Sequence, residues 1–442
     1  MQVKKVFVLG MARSGYEAAK LLAKDHEVLV VDGKEQIKEH VEELQSLGVT
    51  VKIGEDPVVL LDESFDLMVK NPGIHSSHPA VSKALELHIP VINEVELAYH
   101  YLNSKAHVIG ITGSNGKTTT TTLISLFLQE DGRKVFTGGN IGIPFSQFVL
   151  DVQDGDFVVL EISDHQLCDM NDFKTEVSVL TNLYPVHLDF HGSFLKYQEI
   201  KKRIFSHHTK EDLAILNKDN NESVLLTQDI LSTKMYFSKQ AEEDCFIKEG
   251  AIYYHEEKII DLKDILLQGN HNYENIMAAI LAVKKYDVKT SSIQKVLKTF
   301  QGVPHRIEFV RTLKGRSFYN DSKATNCEST KIALRSFQKP TLLLLGGLDR
   351  GHSFDDLTPE LKNVKYVACY GETKNKITEY CKRQGIACDI FLNLEEATKA
   401  CYQKSQEGDV ILLSPACASW DQFDSFEQRG DAFKKIVNSL GE

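Results

Sequence analysis

Short apolar runs alternate with helical patterns along the first hundred residues: VFVLG (6–10), YEAAKLLAK (16–24), EVLVVDG (27–33) and DLMVKNPG (66–73). Strand–helix–strand repeats of this kind predict a parallel sheet. A second series starts at HVIGITG (107–113), passes through the helical TTTTTLISLFLQE and the strand FVVLEIS (157–163), and reaches a helix NYENIMAAILAVKKY (272–286), which predicts a larger α/β domain. A third begins near Pro304 with RIEFV, SFYND, TLLLLGG (341–347), VKYVACYG and DVILLSPA (409–416), separated by helices. Strands that are apolar throughout belong where helices cover both faces of a sheet. The expected class is therefore α/β in three domains, 1–102, 103–302 and 303–442, with boundaries taken from loop composition.

The length of 442 residues, with 42% hydrophobic and 26% charged positions, suits several globular cores. A formal charge of -11 argues against a nucleic-acid partner, because phosphate tracking requires many unpaired Lys and Arg. The eight cysteines include no C-x-x-C pair, so neither a zinc ribbon nor a thioredoxin motif is expected, and reduced thiols in a cytoplasmic protein fit best. MQVKKVFVLGMARSG runs directly into a strand and a glycine turn, unlike a secretion signal, and no apolar run is long enough to insert in a membrane.

TGSNGKTT (112–119), between the strand HVIGI and a helix, is the strongest chemical signal. Gly113, Ser114, Asn115 and Gly116 allow backbone N–H groups to close on a polyphosphate. Lys117 offers a cation to its outer oxygens, and Thr118, followed by Thr119, a hydroxyl to Mg2+. The spacing departs from a strict Walker A pattern, since Ile111 stands where the first Gly belongs. GMARSG (10–15) with Asp32 some twenty positions on has the outline of a dinucleotide fingerprint, but Ala12 replaces its middle glycine, so a structural turn and a phosphate site remain equally open. NPGI (71–74) and GGNIG (138–142) are further loops after strands. Glu161 ends an apolar strand, and His187 and Asp189 follow another. A carboxylate there suits Mg2+, whereas a histidine is more often structural. GNHNYEN (269–275), PHR (304–306), NDSKATN (320–326), GGLDRG (346–351) and SPACASWDQFDSFEQRG (414–430) all fall at strand ends or helix starts, where Asn and Asp also serve as caps.

In this order, TGSNGKTT, GGNIG, GNHNYEN, PHR and NDSKATN resemble the Mur ligases over nearly the whole chain, and NDSKATN and SPACASWDQFDSFEQRG resemble the member that adds D-glutamate. The resemblance implies a Rossmann-like UDP-binding domain, a central P-loop ATPase-type domain and a Rossmann-like C-terminal domain. It implies ATP-dependent ligation of D-glutamate to UDP-N-acetylmuramoyl-L-alanine through an acyl phosphate, in peptidoglycan synthesis, by a monomer. By the same resemblance Arg13, Ser14, Asp32, Gly33, Asn71 and Gly73, joined by Asn140, line the uridine diphosphate. Asn272, Asn275, Arg306, Asp321 and Lys323 contact ATP; Thr325, Ser419 and Phe426 hold D-glutamate. Thr118, Glu161, His187 and Lys201 serve two Mg2+ ions, Lys201 as a carbamate, with its neighbour Lys202 the alternative. Two positions depart from relatives: ISDHQL after Glu161, with Asp164 and His165 where SSFQL is common, and Arg350, where some members carry Lys and where a guanidinium fork suits a carboxylate. A folylpolyglutamate synthase or another Mur member is the rival within the class. A nucleotide-gated regulatory subunit is the rival outside it, and it has no use for Lys117, Thr118, Glu161, His187 and Asp321 together.

Overall fold

The computed structural model describes residues 4–441 apart from 35, 37, 187 and 268, and apart from the side chains of 188, 189, 328 and 332. Its strands form three sheets. The first is parallel, in the spatial order Thr50–Ile53, Glu27–Asp32, Lys5–Leu9, Leu67–Lys70, Val91–Ile92. In the second, a parallel portion runs Thr233–Ser238, Leu213–Asn217, Val177–Leu180, His107–Thr112, Phe157–Glu161, Val135–Gly139. The third has Val410–Leu413 and Thr341–Gly346 at its centre, and both strands are buried at every position, as their unbroken apolar text requires.

Antiparallel extensions were not legible in the same way. Cys245–Lys248, Ala251–Tyr254 and Glu257–Asp261 add a meander to one edge of the second sheet. Glu308–Leu313 and Arg316–Asn320 form a hairpin rather than two strands separated by a helix. Glu249–Gly250 and Lys314–Gly315 take positive φ at both positions (49° and 73°, 46° and 74°), the turn that matches the twist of paired strands. In both, the first of the two residues is not one that announces such a turn.

By internal packing the chain forms two compact units, Met1–Phe300 and Gln301–Glu442. One apolar cluster in the first unit takes in Val6, Val30, Val95 and Ala98 from the first sheet's layer, and Phe145, Val158 and Leu180 from the second's. The helices Arg13–Leu22 and Glu94–Tyr101 meet Phe145–Phe148 there. Lys70, almost fully buried, pairs with Asp169 at 2.7 Å across the same seam. No helix among the described residues is long and apolar enough to cross a membrane.

Glu94 lies buried in this seam, its carboxylate accepting from Ser146 N at 2.5 Å, and burial pushes its pKa up to about 7. The fold therefore favours the protonated form. Its stabilising contribution is complete below the ordinary glutamate range near 4.5 and is lost as pH rises through 7, a difference of about 3 kcal/mol. Glu94→Gln keeps the acceptor and is expected to raise the thermal midpoint at pH 8 relative to wild type while matching it at pH 5. A difference between the two proteins that does not change with pH would refute this.

Candidate active site

The strand His107–Thr112 delivers the chain into the TGSNGKTT loop, and the helix Lys117–Glu130 begins at its end. A Cβ at Gly113 would overlap Thr181 Oγ1, and one at Gly116 would overlap Asn275 Oδ1, so side-chain-free positions let the loop close against the neighbouring strand end and helix. Asn115 N donates to Asn182 Oδ1 at 2.9 Å, and Ser114 Oγ lies 2.8 Å from Tyr197 OH. Lys117 Nζ donates to the Gly113 and Ser114 carbonyls at 2.8 and 3.0 Å, which holds the ammonium against the loop's own backbone. Thr118 Oγ1 donates to Glu161 Oε2 at 2.7 Å, and Asn140 Nδ2 donates to Glu161 Oε1 at 2.7 Å. A buried carboxylate thus joins the TGSNGKTT loop to the GGNIG loop.

Behind this loop lies a charged pocket. Lys201, on the helix Phe194–Lys202, is fully buried, with Nζ 3.0 Å from Thr112 Oγ1 and 3.4 Å from Asp164 Oδ1. Burial, with Lys117 nearby, lowers its pKa to about 7, against the pull of Asp164 and Glu161. Asp164 Oδ2 in turn meets His191 Nε2 at 2.7 Å and His165 Nδ1 at 3.3 Å. Ser163 and Gln166 close a capping box that fixes the short helix carrying Asp164. Lys202 differs sharply: it points to the surface and pairs with Asp229 at 2.6 Å.

At the other end of this unit, Asp32 Oδ2 accepts from Met11 N at 2.6 Å, tying the second strand to the GMARSG turn. Asn71 N donates to the Leu9 carbonyl, and its Oδ1 accepts from Gly73 N at 3.1 Å. Ser14 lies in the first turn of the helix Arg13–Leu22, and Gly33 follows Asp32 with open space where a Cβ would stand. Arg13 Nη1 reaches the Gly142 carbonyl at 2.7 Å, so the turn and the GGNIG loop share a hydrogen bond. Asn272 and Asn275 both lie on the helix Asn270–Lys284, Asn275 against Gly116 and Asn272 a turn earlier.

In the second unit, Asp321 follows the strand Arg316–Asn320 and is buried. Its Oδ2 accepts from Ser414 Oγ at 2.7 Å and its Oδ1 from Ile307 N at 3.1 Å. Burial pushes its pKa up to about 7, opposed by the Ser414 hydrogen bond and the Arg306 charge. Lys323 Nζ lies 5.9 Å from the centre of the Phe426 ring, and Thr325 N donates to the Lys323 carbonyl at 2.9 Å. Arg429, fully buried, donates to Ser322 Oγ, the Ser322 carbonyl and the Cys417 carbonyl, clamping NDSKATN to the last long motif. Leu348 and Ala418 form a bridge, which brings the Arg350 and Ser419 loops side by side, and the Arg350 guanidinium stacks 4.7 Å from the Trp420 ring.

The sequence-derived residues thus gather as three groups: 113–119 with Asn140, Glu161, Asn275 and Lys201; Arg13 with Asp32, Asn71 and Gly73; and Arg306, Asp321, Lys323, Thr325 and Phe426 with Ser419 and Arg350. His187 lies outside the described residues, as does the side chain of Asp189. The reading of the sequence missed His191, Tyr197, Asn182 and Arg429, and took Asp164 and His165 only as a departure from relatives. Arg429, Asp164 and His165 stand inside motifs quoted above, yet nothing in one dimension distinguishes His191 from His187 or points Asp164 at Lys201.

A nucleotide-loop ligase architecture is what this fold and site define, and the chain belongs to the Mur ligase family. It matches the Mur ligase MurD-like N-terminal domain over residues 4–93, the Mur ligase middle domain over 111–283 and the Mur ligase glutamate ligase domain over 305–417. It is 46% identical, over 99% of its length and 98% of the relative's, to a UDP-N-acetylmuramoylalanine–D-glutamate ligase of Geobacillus sp. (strain WCH70), and 44% identical with the same coverage to that of Bacillus cereus (strain AH820). The fold is shared with the UDP-N-acetylmuramate–alanine ligase MurC of Thermotoga maritima, at a TM-score of 0.63 and 16% identity over 98% of this chain and 99% of that one.

Proposed function

We propose that the chain uses ATP to join D-glutamate to UDP-N-acetylmuramoyl-L-alanine, as a peptidoglycan-precursor ligase. The observation that carries this reading is full-length identity of 44–46% to D-glutamate ligases. Thr118 and Glu161, buried beside the TGSNGKTT loop and joined there by the exposed Asn140, support it. Phosphate release from ATP in the presence of UDP-N-acetylmuramoyl-L-alanine tests it: turnover is expected with D-glutamate and not with L-glutamate, L-lysine or D-alanine. Equal turnover with L-lysine would replace the substrate while leaving the class. A cytoplasmic monomer with domains at 1–102, 103–302 and 303–442 is part of the same reading.

In this mechanism the γ-phosphoryl group passes from ATP to the muramoyl-alanine carboxylate and ADP leaves; the D-glutamate amine then attacks the acyl phosphate and gives up a proton, and phosphate leaves with its electron pair. The loop from Gly113 to Thr119 is assigned to the phosphates, with Lys117 neutralising charge that grows on the transferred group. Asn272, Asn275, Arg306, Asp321 and Lys323 are assigned to ATP. Arg13, Ser14, Asp32, Gly33, Asn71, Gly73 and Asn140 are assigned to the uridine diphosphate. Thr118 Oγ1 and the Glu161 carboxylate are hard oxygen donors, which fit Mg2+, with His187 and Lys201 assigned to a second ion. When bound, Mg2+ supplies positive charge to the phosphoryl oxygens. Lys201 is assigned a carbamate: its depressed pKa provides the neutral amine that CO2 requires, which favours it over the surface-paired Lys202. A carbamate beside Asp164 sets two anions together, and His165 and His191 stand where they temper that repulsion.

Thr325, Arg350, Ser419 and Phe426 are assigned to D-glutamate. Ser419→Ala and Arg350→Ala are expected to raise KM for D-glutamate about tenfold or more while leaving KM for ATP within about twofold, because groups that hold one substrate's carboxylates mainly lose that substrate. Equal effects on all three substrates would assign these residues to folding instead.

A further inference from the structure

Six of the eight cysteines fall in the second unit, and three of them converge. Cys369 stands on the strand Val364–Tyr370, Cys381 on the helix Lys374–Gln384 packed against that strand, and Cys388 on the edge strand Ala387–Ile390. The register pairs Val367 with Cys388 and Cys369 with Ile390, so Cys388 and Cys369 lie diagonally on one face of the sheet. Cys381 belongs to the same apolar cluster as Cys369 and Val367, with Cys388 packed at its margin. The three sulfurs all lie within 4.8 Å of one another. No two of these residues have the C-x-x-C spacing, which is why the sequence pattern did not show the group.

We propose that Cys369, Cys381 and Cys388 form a three-thiolate site for one thiophilic d10 cation of the Zn2+ and Cd2+ class. Sulfurs bound at about 2.3 Å to a common ion stand about 4 Å apart, so the observed spread closes on an ion with side-chain adjustment alone. A disulfide across the sheet fits less well: strands about 4.8 Å apart with a two-residue offset of about 6.6 Å put the Cα atoms of Cys369 and Cys388 about 8 Å apart, beyond the span of a bridge. Cys369 and Cys381 are buried, while Cys388 is only partly so and gives the ion its entry. On binding, three S–H bonds break, the protons pass to buffer, and three sulfur lone pairs bond the ion with no change of oxidation state. The exposed side of Cys388 leaves a fourth position to water.

The test is to titrate reduced, metal-free, full-length protein with Cd2+, following the ultraviolet sulfur-to-cadmium charge-transfer band, proton release and the thermal midpoint. Expected are saturation at one ion per chain, about three protons released, a raised midpoint, and displacement by Zn2+ at the same stoichiometry. Cys388→Ser, on an edge strand where the fold tolerates it, should weaken binding at least about a hundredfold. Cys381→Ser should do the same, and Cys401→Ser, outside the group, should bind like wild type. A wild-type protein without the band, or a band that survives unchanged in Cys388→Ser, would overturn the proposal. The charge-transfer signal reports sulfur alone, so Cd2+ held by Glu161 or other oxygen donors does not contribute to it.

Discussion

Lys117→Ala is expected to lower kcat/KM for ligation by at least about a hundredfold, the range seen when one preorganised charge is taken from a developing anion, while the thermal midpoint stays close to wild type. The side chain is only partly buried, so its truncation leaves the apolar cores in place. What disappears is the ammonium held at 2.8 and 3.0 Å over the loop carbonyls. The substitution has a second effect. Lys117 is one of the groups that depress the pKa of Lys201, so its removal lets Lys201 keep its proton to higher pH. Activity that remains should therefore peak at higher pH than in wild type. Well-folded Lys117→Ala protein with undiminished turnover would sink the nucleotide-site assignment.

Lys201→Ala is expected to cost as much, for a different reason. The carbamate assigned to Lys201 provides an anion in a pocket that otherwise holds Thr112, Asp164 and the two histidines. Acetate or formate should restore part of the lost activity by occupying the vacated volume, and depletion of dissolved CO2 should slow the wild type but not the rescued variant. Lys202→Ala should behave as wild type, since its partner Asp229 is a surface carboxylate and such pairs contribute little. Full activity of Lys201→Ala without any additive would exclude the carbamate.

How far the sequence carried can be judged from particular elements. TLLLLGG and DVILLSPA were legible as central strands because burial on both faces leaves an unbroken apolar run. TGSNGKTT was legible as a loop between a strand and a helix because glycines and a lysine at a strand end are chemically distinctive. The meander from Cys245 to Asp261 was not, since its strands are short, half-exposed and joined by turns that begin with Glu249 and His255. Nor was the Asp164–His191–Lys201 pocket: these side chains come from three separate helices, and only packing brings them together. Arg429 illustrates the same limit, because a buried arginine that bonds carbonyls reads in one dimension like any helix-surface charge.

The seam between the first two sheets also bears on how such a chain can be inherited. A crossover point between residues 102 and 103 would cut through a single apolar cluster that runs from Val6 to Leu216, and a foreign first segment would have to reproduce the faces of Arg13–Leu22 and Glu94–Tyr101 that meet Phe145–Phe148. Recombination between relatives is thus mechanically costly at that junction. The GMARSG turn and the TGSNGKTT loop, carried by two sheets that share one apolar cluster, must therefore descend together.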